Sequence, residues 1–122
     1  MSDDVEVRYT SQVFYIKLSD GSKAFLRYEV NGNYMKLIAT YTPEQHRGKG
    51  YAKLLVDKAV EVARERGLKI VPICSYAVYY FIKNPELRSL LAEPYNTMSS
   101  EELKRLYEER LKEEKGKSSA SS

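Results

Sequence analysis

At Pro43 the hydrophobic rhythm of the chain changes from the alternation of strands to the three- and four-residue recurrence of a helix. Upstream, an extended stretch runs from Val5 to Leu18, where Val13, Tyr15 and Lys17 alternate with Phe14, Ile16 and Leu18. Ser19-Asp20-Gly21-Ser22 is a turn, Lys23 to Val30 reads as the returning strand, and Asn31-Gly32-Asn33 turns the chain again. Tyr34 to Thr42 follows, with Met35, Leu37, Ala39 and Tyr41 on one face and Tyr34, Lys36, Ile38 and Thr40 on the other. The first third is therefore an antiparallel meander. Downstream, the polar loop from Glu44 to Gly50 opens a helix predicted over Tyr51 to Arg66. Leu55, Ala59, Val62 and Ala63 form its apolar stripe, Leu54 and Val56 widen it, and Gly67 is placed to cap its end.

Beyond that helix the elements shorten. Leu68 to Ile73 reads as a strand in which Pro72 must sit at an edge, an end or a bulge, because it has no N–H to give. Tyr76 to Lys83 is predicted as a short aromatic helix with Ser75 as its N-cap, ended by Asn84-Pro85, and Glu86 to Leu91 as one or two helical turns. Ser99 and Glu102 fit a capping box for a last amphipathic helix carrying Leu103, Leu106, Tyr107 and Leu111. With 122 residues the chain holds one compact core. The expected organisation is a domain over 1–91, a linker with a C-terminal helix over 92–115, and a disordered tail over 116–122. Met1 to Asp4 read as a frayed start.

Composition excludes several classes of function. One Cys rules out an intrachain disulfide framework and a cysteine-cluster zinc site, and one His leaves no His-rich metal site. No stretch approaches the length of a membrane-spanning helix, and the start is acidic and polar, so the cytoplasm is the expected location. A net charge of +3 suits an anionic ligand. The basic residues alternate with acidic ones instead of forming a run, which disfavours nucleic acid.

The chemistry concentrates in the loop. A strand that feeds a glycine-containing loop and then a helix presents free first-turn N–H groups and a partial positive charge to an anion. Gly48 and Gly50 let a ligand approach the backbone, and Arg47 and Lys49 add charge, so a pyrophosphate is the natural ligand. The phosphate-loop motif fails because Gly48-Lys49 is followed by Gly50 and not by Ser or Thr. The dinucleotide fingerprint fails for want of a third glycine and a βαβ unit.

Gln45-His46-Arg47-Gly48-Lys49-Gly50 resembles the acyl-CoA motif of the GCN5-related N-acetyltransferases, Gln/Arg-x-x-Gly-x-Gly/Ala. The wider pattern is similar to a small YjdJ-type acetyltransferase-like subfamily. It joins His46 to Gly50, the helix, Pro72-x-Cys74 and a short aromatic helix that stops near Pro85. The resemblance spans roughly Tyr9 to Leu91. It implies a minimal α+β fold: a meander, the glycine loop and helix, a splayed parallel strand and a short helix, with an extra C-terminal helix here. It further implies acetyl-CoA as cosubstrate. Gln45, His46, Arg47, Gly48, Lys49, Gly50, Tyr51 and Ala52 would then form the binding turn, and backbone groups of Ile38, Ala39 and Thr40 would meet the pantetheine arm between two parting strands. The two helices that usually help form the acceptor site are missing, their place taken by the Ser19–Ser22 turn.

Three side chains are the catalytic candidates. Tyr79 or Tyr80 could protonate the CoA sulfur, against core packing as the alternative. Cys74, which the resemblance marks as a suspected catalytic residue, lies before a helix start that would favour its thiolate and an acetyl-Cys route, against a space-filling thiol. His46 suits phosphate contact or loop support better than catalysis. Asn84 stands where the subfamily commonly has His, so no base is available there. The leading expectation is transfer from acetyl-CoA to an unidentified amine, directly or through Cys74. A non-catalytic acyl-CoA-binding module and a small nucleic-acid-binding protein are the alternatives. The C-terminal helix is expected to pack on the domain, with a homodimer contact as its other use.

Overall fold

The computed structural model describes the backbone of residues 5–121 and the side chains of residues 5–116. The start at Met1 to Asp4 lies outside the described residues, as do the side chains of the expected tail beyond Gly116. Strands β1 (Arg8–Tyr9), β2 (Val13–Lys17), β3 (Lys23–Asn31) and β4 (Tyr34–Tyr41) form the meander, each antiparallel to the last. Helix α1 (Tyr51–Arg66) leads to β5 (Lys69–Pro72), which pairs parallel with β4, so the sheet order is β1-β2-β3-β4-β5. Helix α2 (Ser75–Lys83), short 3-10 turns and helix α3 (Ser100–Ser121) complete the chain. The fold is mixed α+β, as the alternation and the change of period imply.

One face of the sheet is the core. Phe14, Ile16, Leu26, Met35, Leu37 and Ile70 lie under α1 residues Leu55, Val56, Ala59 and Ala63, all at most 1% exposed. Burial on this scale contributes about 1.5–3 kcal/mol for each large aliphatic or aromatic side chain. Gly67 caps α1 with φ +67 and donates to Ala63 and Arg64, so the chain drops straight into β5. Pro72 ends β5 at the sheet edge, where its missing N–H interrupts no ladder.

Three expectations are corrected. The alternation of β4 does not run through to Tyr41: Tyr28 pairs with Leu37 but Arg27 pairs with Ala39, so Ile38 is an extra, bulged residue. The phase slips by one there, and Thr40, opposite buried Leu26, shares the inward face with Leu37. Ser75 is not the N-cap of α2; Cys74 holds that position and Ser75 is the first helical residue. The expected linker is docked at its first residue, Ala92, which is buried and donates its N–H to Ile70 O at 2.8 Å. The Ser99–Glu102 capping box forms as expected, at 2.9 and 3.1 Å.

Candidate functional site

Between β4 and α1 the chain makes a 3-10 turn at Glu44–His46 and then passes two glycines with φ of +84 and +82. That region costs an L-residue roughly 1–2 kcal/mol, which is why Gly48 and Gly50 stand there. Gly50 is the N-cap of α1; no side chain caps the helix and no acidic residue lies in its first turn. The first-turn N–H groups therefore meet the loop with the positive end of the helix unopposed.

A network braces the loop from below. His46 is buried, with Nε2 2.9 Å from Asp20 Oδ2 and Nδ1 3.4 Å from Lys49 Nζ. The Nε2–H tautomer satisfies both contacts, donating to Asp20 and accepting from Lys49. Gln45 Nε2 donates to the same Asp20 oxygen at 3.2 Å. Hydrogen bonds from Ser22, then from His46 and Gln45, hold the Asp20 carboxyl well below the usual carboxylate range. Arg47 Nε donates to Thr42 O at 3.2 Å, tying the loop back to the end of β4.

β4 and β5 part where the bulge begins. Their pairing stops at Leu37 and Pro72, and the N–H groups of Ile73 and Cys74 both donate to Leu37 O at 3.0 Å. Ile38, Ala39 and Thr40 have no partner on β5, so the β4 edge facing the gap is free. A cavity of about 390 Å³ connects gap and loop, lined by Thr40 to Thr42, His46 to Gly48, Gly50 to Lys53 and Tyr76. A larger space of about 600 Å³ lies along β2, β3 and the bulge and contains none of the loop residues. The smaller one is the candidate site, because it joins the glycine loop and the helix end to the parted strands at Thr40. On its far side Thr40 also borders a second cavity with Arg27, Ile38, Ala39 and Glu114.

α2 starts at this junction. Cys74 is 4% exposed, in contact with the Thr40 hydroxyl and the Tyr76 and Ala77 backbone. Burial pushes its thiol pKa up, and the nearby Glu114 carboxylate adds to the rise. Glu114 comes from α3: its two oxygens accept from Ser75 N–H at 2.8 Å and Ser75 Oγ at 2.7 Å. Tyr80 donates its hydroxyl to Asp57 Oδ1 at 2.6 Å. Desolvation, then the bond to Asp57, raises its pKa. Tyr79 is turned outward, between Tyr76 and Tyr107, with ring centroids 5.8 Å from each.

A free β4 edge that parts from its parallel neighbour beside a glycine-opened helix agrees with the comparisons. The family model for the GCN5-related N-acetyl-transferases matches residues 13–90. The chain belongs to this family. It is also similar to the NMR solution structure of a GCN5-like protein from Staphylococcus aureus. The TM-score is 0.60 and the identity 27%, over 75% of this chain and 91% of that one. No curated protein matches. GCN5-related N-acetyltransferases generally use acetyl-CoA as cosubstrate.

Most of the residues expected to meet the cofactor converge. Thr40, His46, Arg47, Gly48, Gly50, Tyr51 and Ala52 line one cavity, while Gln45 and Lys49 serve its bracing network. Ile38 and Ala39 lie along the free edge on the far side. The catalytic candidates do not gather as expected. Tyr80 is occupied by Asp57, Tyr79 faces away, and Cys74 is a buried thiol whose pKa is raised where a helix start was expected to lower it. Sequence reasoning missed Tyr76, which lines the cavity, and Asp20, known there only as a turn residue. A local signal existed for Tyr76, two residues past Cys74. None existed for Asp20, because its partner His46 is far along the chain. Among the described residues there is no cluster of three metal-ligating side chains, and no helix long and apolar enough to cross a membrane.

Proposed function

We propose that this chain binds acetyl-CoA between the α1 N-terminus and the parted β4–β5 edge, and transfers the acetyl group directly to an amine. The observation that carries the reading is the free edge at Ile38–Thr40, which reaches at Thr40 the cavity that the glycine loop lines. The residues fit the ligand. First-turn N–H groups of α1, with Arg47 and Lys49, suit a pyrophosphate. The edge offers backbone groups to an extended amide-bearing arm, much as a strand would.

Bound there, acetyl-CoA supplies a thioester carbonyl. The lone pair of a neutral amine forms the C–N bond, the C–S bond breaks, and sulfur leaves with the electron pair and takes up the proton the amine gives up. The chain's part is to orient and to hold protons. Backbone N–H groups near Ile38–Thr40 are placed to polarise the carbonyl. Tyr76, which lines the cavity, replaces Tyr79 and Tyr80 as the proton donor to sulfur and relays there the proton the amine gives up, taking one as it gives one. Burial raises its pKa, so its hydroxyl keeps the proton it would give.

Titration calorimetry with acetyl-CoA, against ATP as competitor, tests the binding. An amine panel followed by CoA release tests the transfer. CoA-selective saturation with turnover that falls in Tyr76→Phe is the expected result, and no CoA-selective binding defeats the reading. Saturation without turnover on any amine favours a non-catalytic acyl-CoA-binding module. The occupied Tyr80 and the buried Cys74, whose thiol pKa burial pushes up, are the observations on that side.

A further inference from the structure

Helix α3 lies beyond residues 13–90 that the family model matches, yet it reaches the transfer site. It runs antiparallel to α2: Tyr107 meets Tyr79, and Glu114, further along α3, meets Ser75 at the start of α2. We propose that Glu114 is a positioning residue of that site, acting through Cys74 to bar this sulfur from the nucleophile's role and leave the acetyl group to direct transfer. The inference rests on the transfer reading above.

Ordinarily the N–H groups at a helix start, and a hydroxyl beside them, stabilise an adjacent thiolate. Here the Ser75 N–H and Oγ–H are both given to the Glu114 carboxylate, at 2.8 and 2.7 Å. The acid removes two donors from the surroundings of Cys74 and sets a negative charge next to them. The sulfur still receives hydrogen bonds from the Ala77 backbone, the Thr40 hydroxyl of β4 and the Tyr76 backbone, which favour the thiolate; burial and the Glu114 charge oppose them and prevail. From α1, Asp57 is tied to Tyr80 and to Lys53 at 3.0 Å. Among the described residues Glu114 is the charged group that acts on the thiol, and it acts in the same direction as burial. The step held in check is thioester exchange. Cys74 sulfur would form the bond to the acetyl carbon, the bond to CoA sulfur would break, and CoA would leave as a thiolate that takes up a proton.

The chain has one Cys, so alkylation of a thiol is assigned to it without ambiguity. The experiment follows the rate of Cys74 alkylation by iodoacetamide against pH, read by intact mass, in the full chain and in three variants. Glu114→Gln is expected to give about three- to tenfold more thiolate at a fixed pH below the midpoint, and Glu114→Lys more again. Tyr107→Ala, which removes the contact with Tyr79 and leaves Glu114 bonded to Ser75, retains the wild-type midpoint. In parallel, intact mass after incubation with acetyl-CoA should show an acetyl adduct in Glu114→Gln and none in wild type. The inference is overturned by an unmoved midpoint in both Glu114 variants, or by an equal shift in Tyr107→Ala. An adduct in wild type, or none in Glu114→Gln despite acetyl-CoA binding, also overturns it. Failure of acetyl-CoA to bind at all defeats the transfer reading instead, and leaves the thiol titration intact.

Discussion

Gly50 and Asp20 show how single residues set the loop. At Gly50 an added Cβ would touch nothing within 4 Å, so the cost of Gly50→Ala is conformational alone. It should destabilise the chain by about 1–2 kcal/mol in denaturant unfolding and weaken acetyl-CoA binding, because the φ of +82 that aims the α1 N-terminus is lost. Asp20 acts through charge. Its folded pKa lies below its unfolded one, so its contribution is fully present above the ordinary carboxylate range. That contribution fades as pH falls through the lower, folded value. Asp20→Asn should therefore flatten the acid limb of a melting-temperature profile taken between about pH 2 and 6. The change should be small, because the carboxyl is exposed and solvent screens it. The same variant should loosen His46 and Gln45 and lower acetyl-CoA affinity a few-fold in calorimetry.

Helices α2 and α3 divide structure from chemistry at the scale of elements. Tyr80 joins α2 to α1 through Asp57, so Tyr80→Phe should cost about 0.5–1.5 kcal/mol in unfolding and leave acetyl-CoA binding unchanged. Equal losses of turnover in Tyr80→Phe and Tyr76→Phe would return Tyr80 to the catalytic role expected from sequence. Leu103 is the buried anchor of α3, at 0% exposure, and Leu103→Ala should cost about 2–4 kcal/mol. That helix was legible from its capping box and its stripe of Leu103, Leu106, Tyr107 and Leu111. Its meeting with the start of α2 was not, since Glu114 and Ser75 belong to separate elements and neither carries a local mark of the contact. The bulge at Ile38 was hidden for a related reason. An extra residue in one strand shows itself only against the register of its partner.

For the molecule as a whole, the proposed ligand is an anion and the net charge is +3. The affinity for acetyl-CoA should fall as ionic strength rises, because the screening length contracts from about 10 Å at 0.1 M salt to about 3 Å at 1 M. Calorimetry across that range checks it. A salt-independent affinity would place Arg47 and Lys49 away from the phosphates and leave binding to the backbone.

Most element types, the antiparallel meander and the place of the glycine loop were decided by the sequence alone, because they rest on local period, turn residues and the conformational freedom of glycine. The mixed sheet follows from the same text: short turns make antiparallel neighbours, and the long crossover through α1 makes β5 parallel. Only the tertiary structure decided which side chains can do chemistry. Whether Tyr80 is free, whether Cys74 is a thiolate and what braces His46 depend on partners from distant parts of the chain. Solvation and hydrogen bonding at those contacts, not residue type, set each group's protonation and reach.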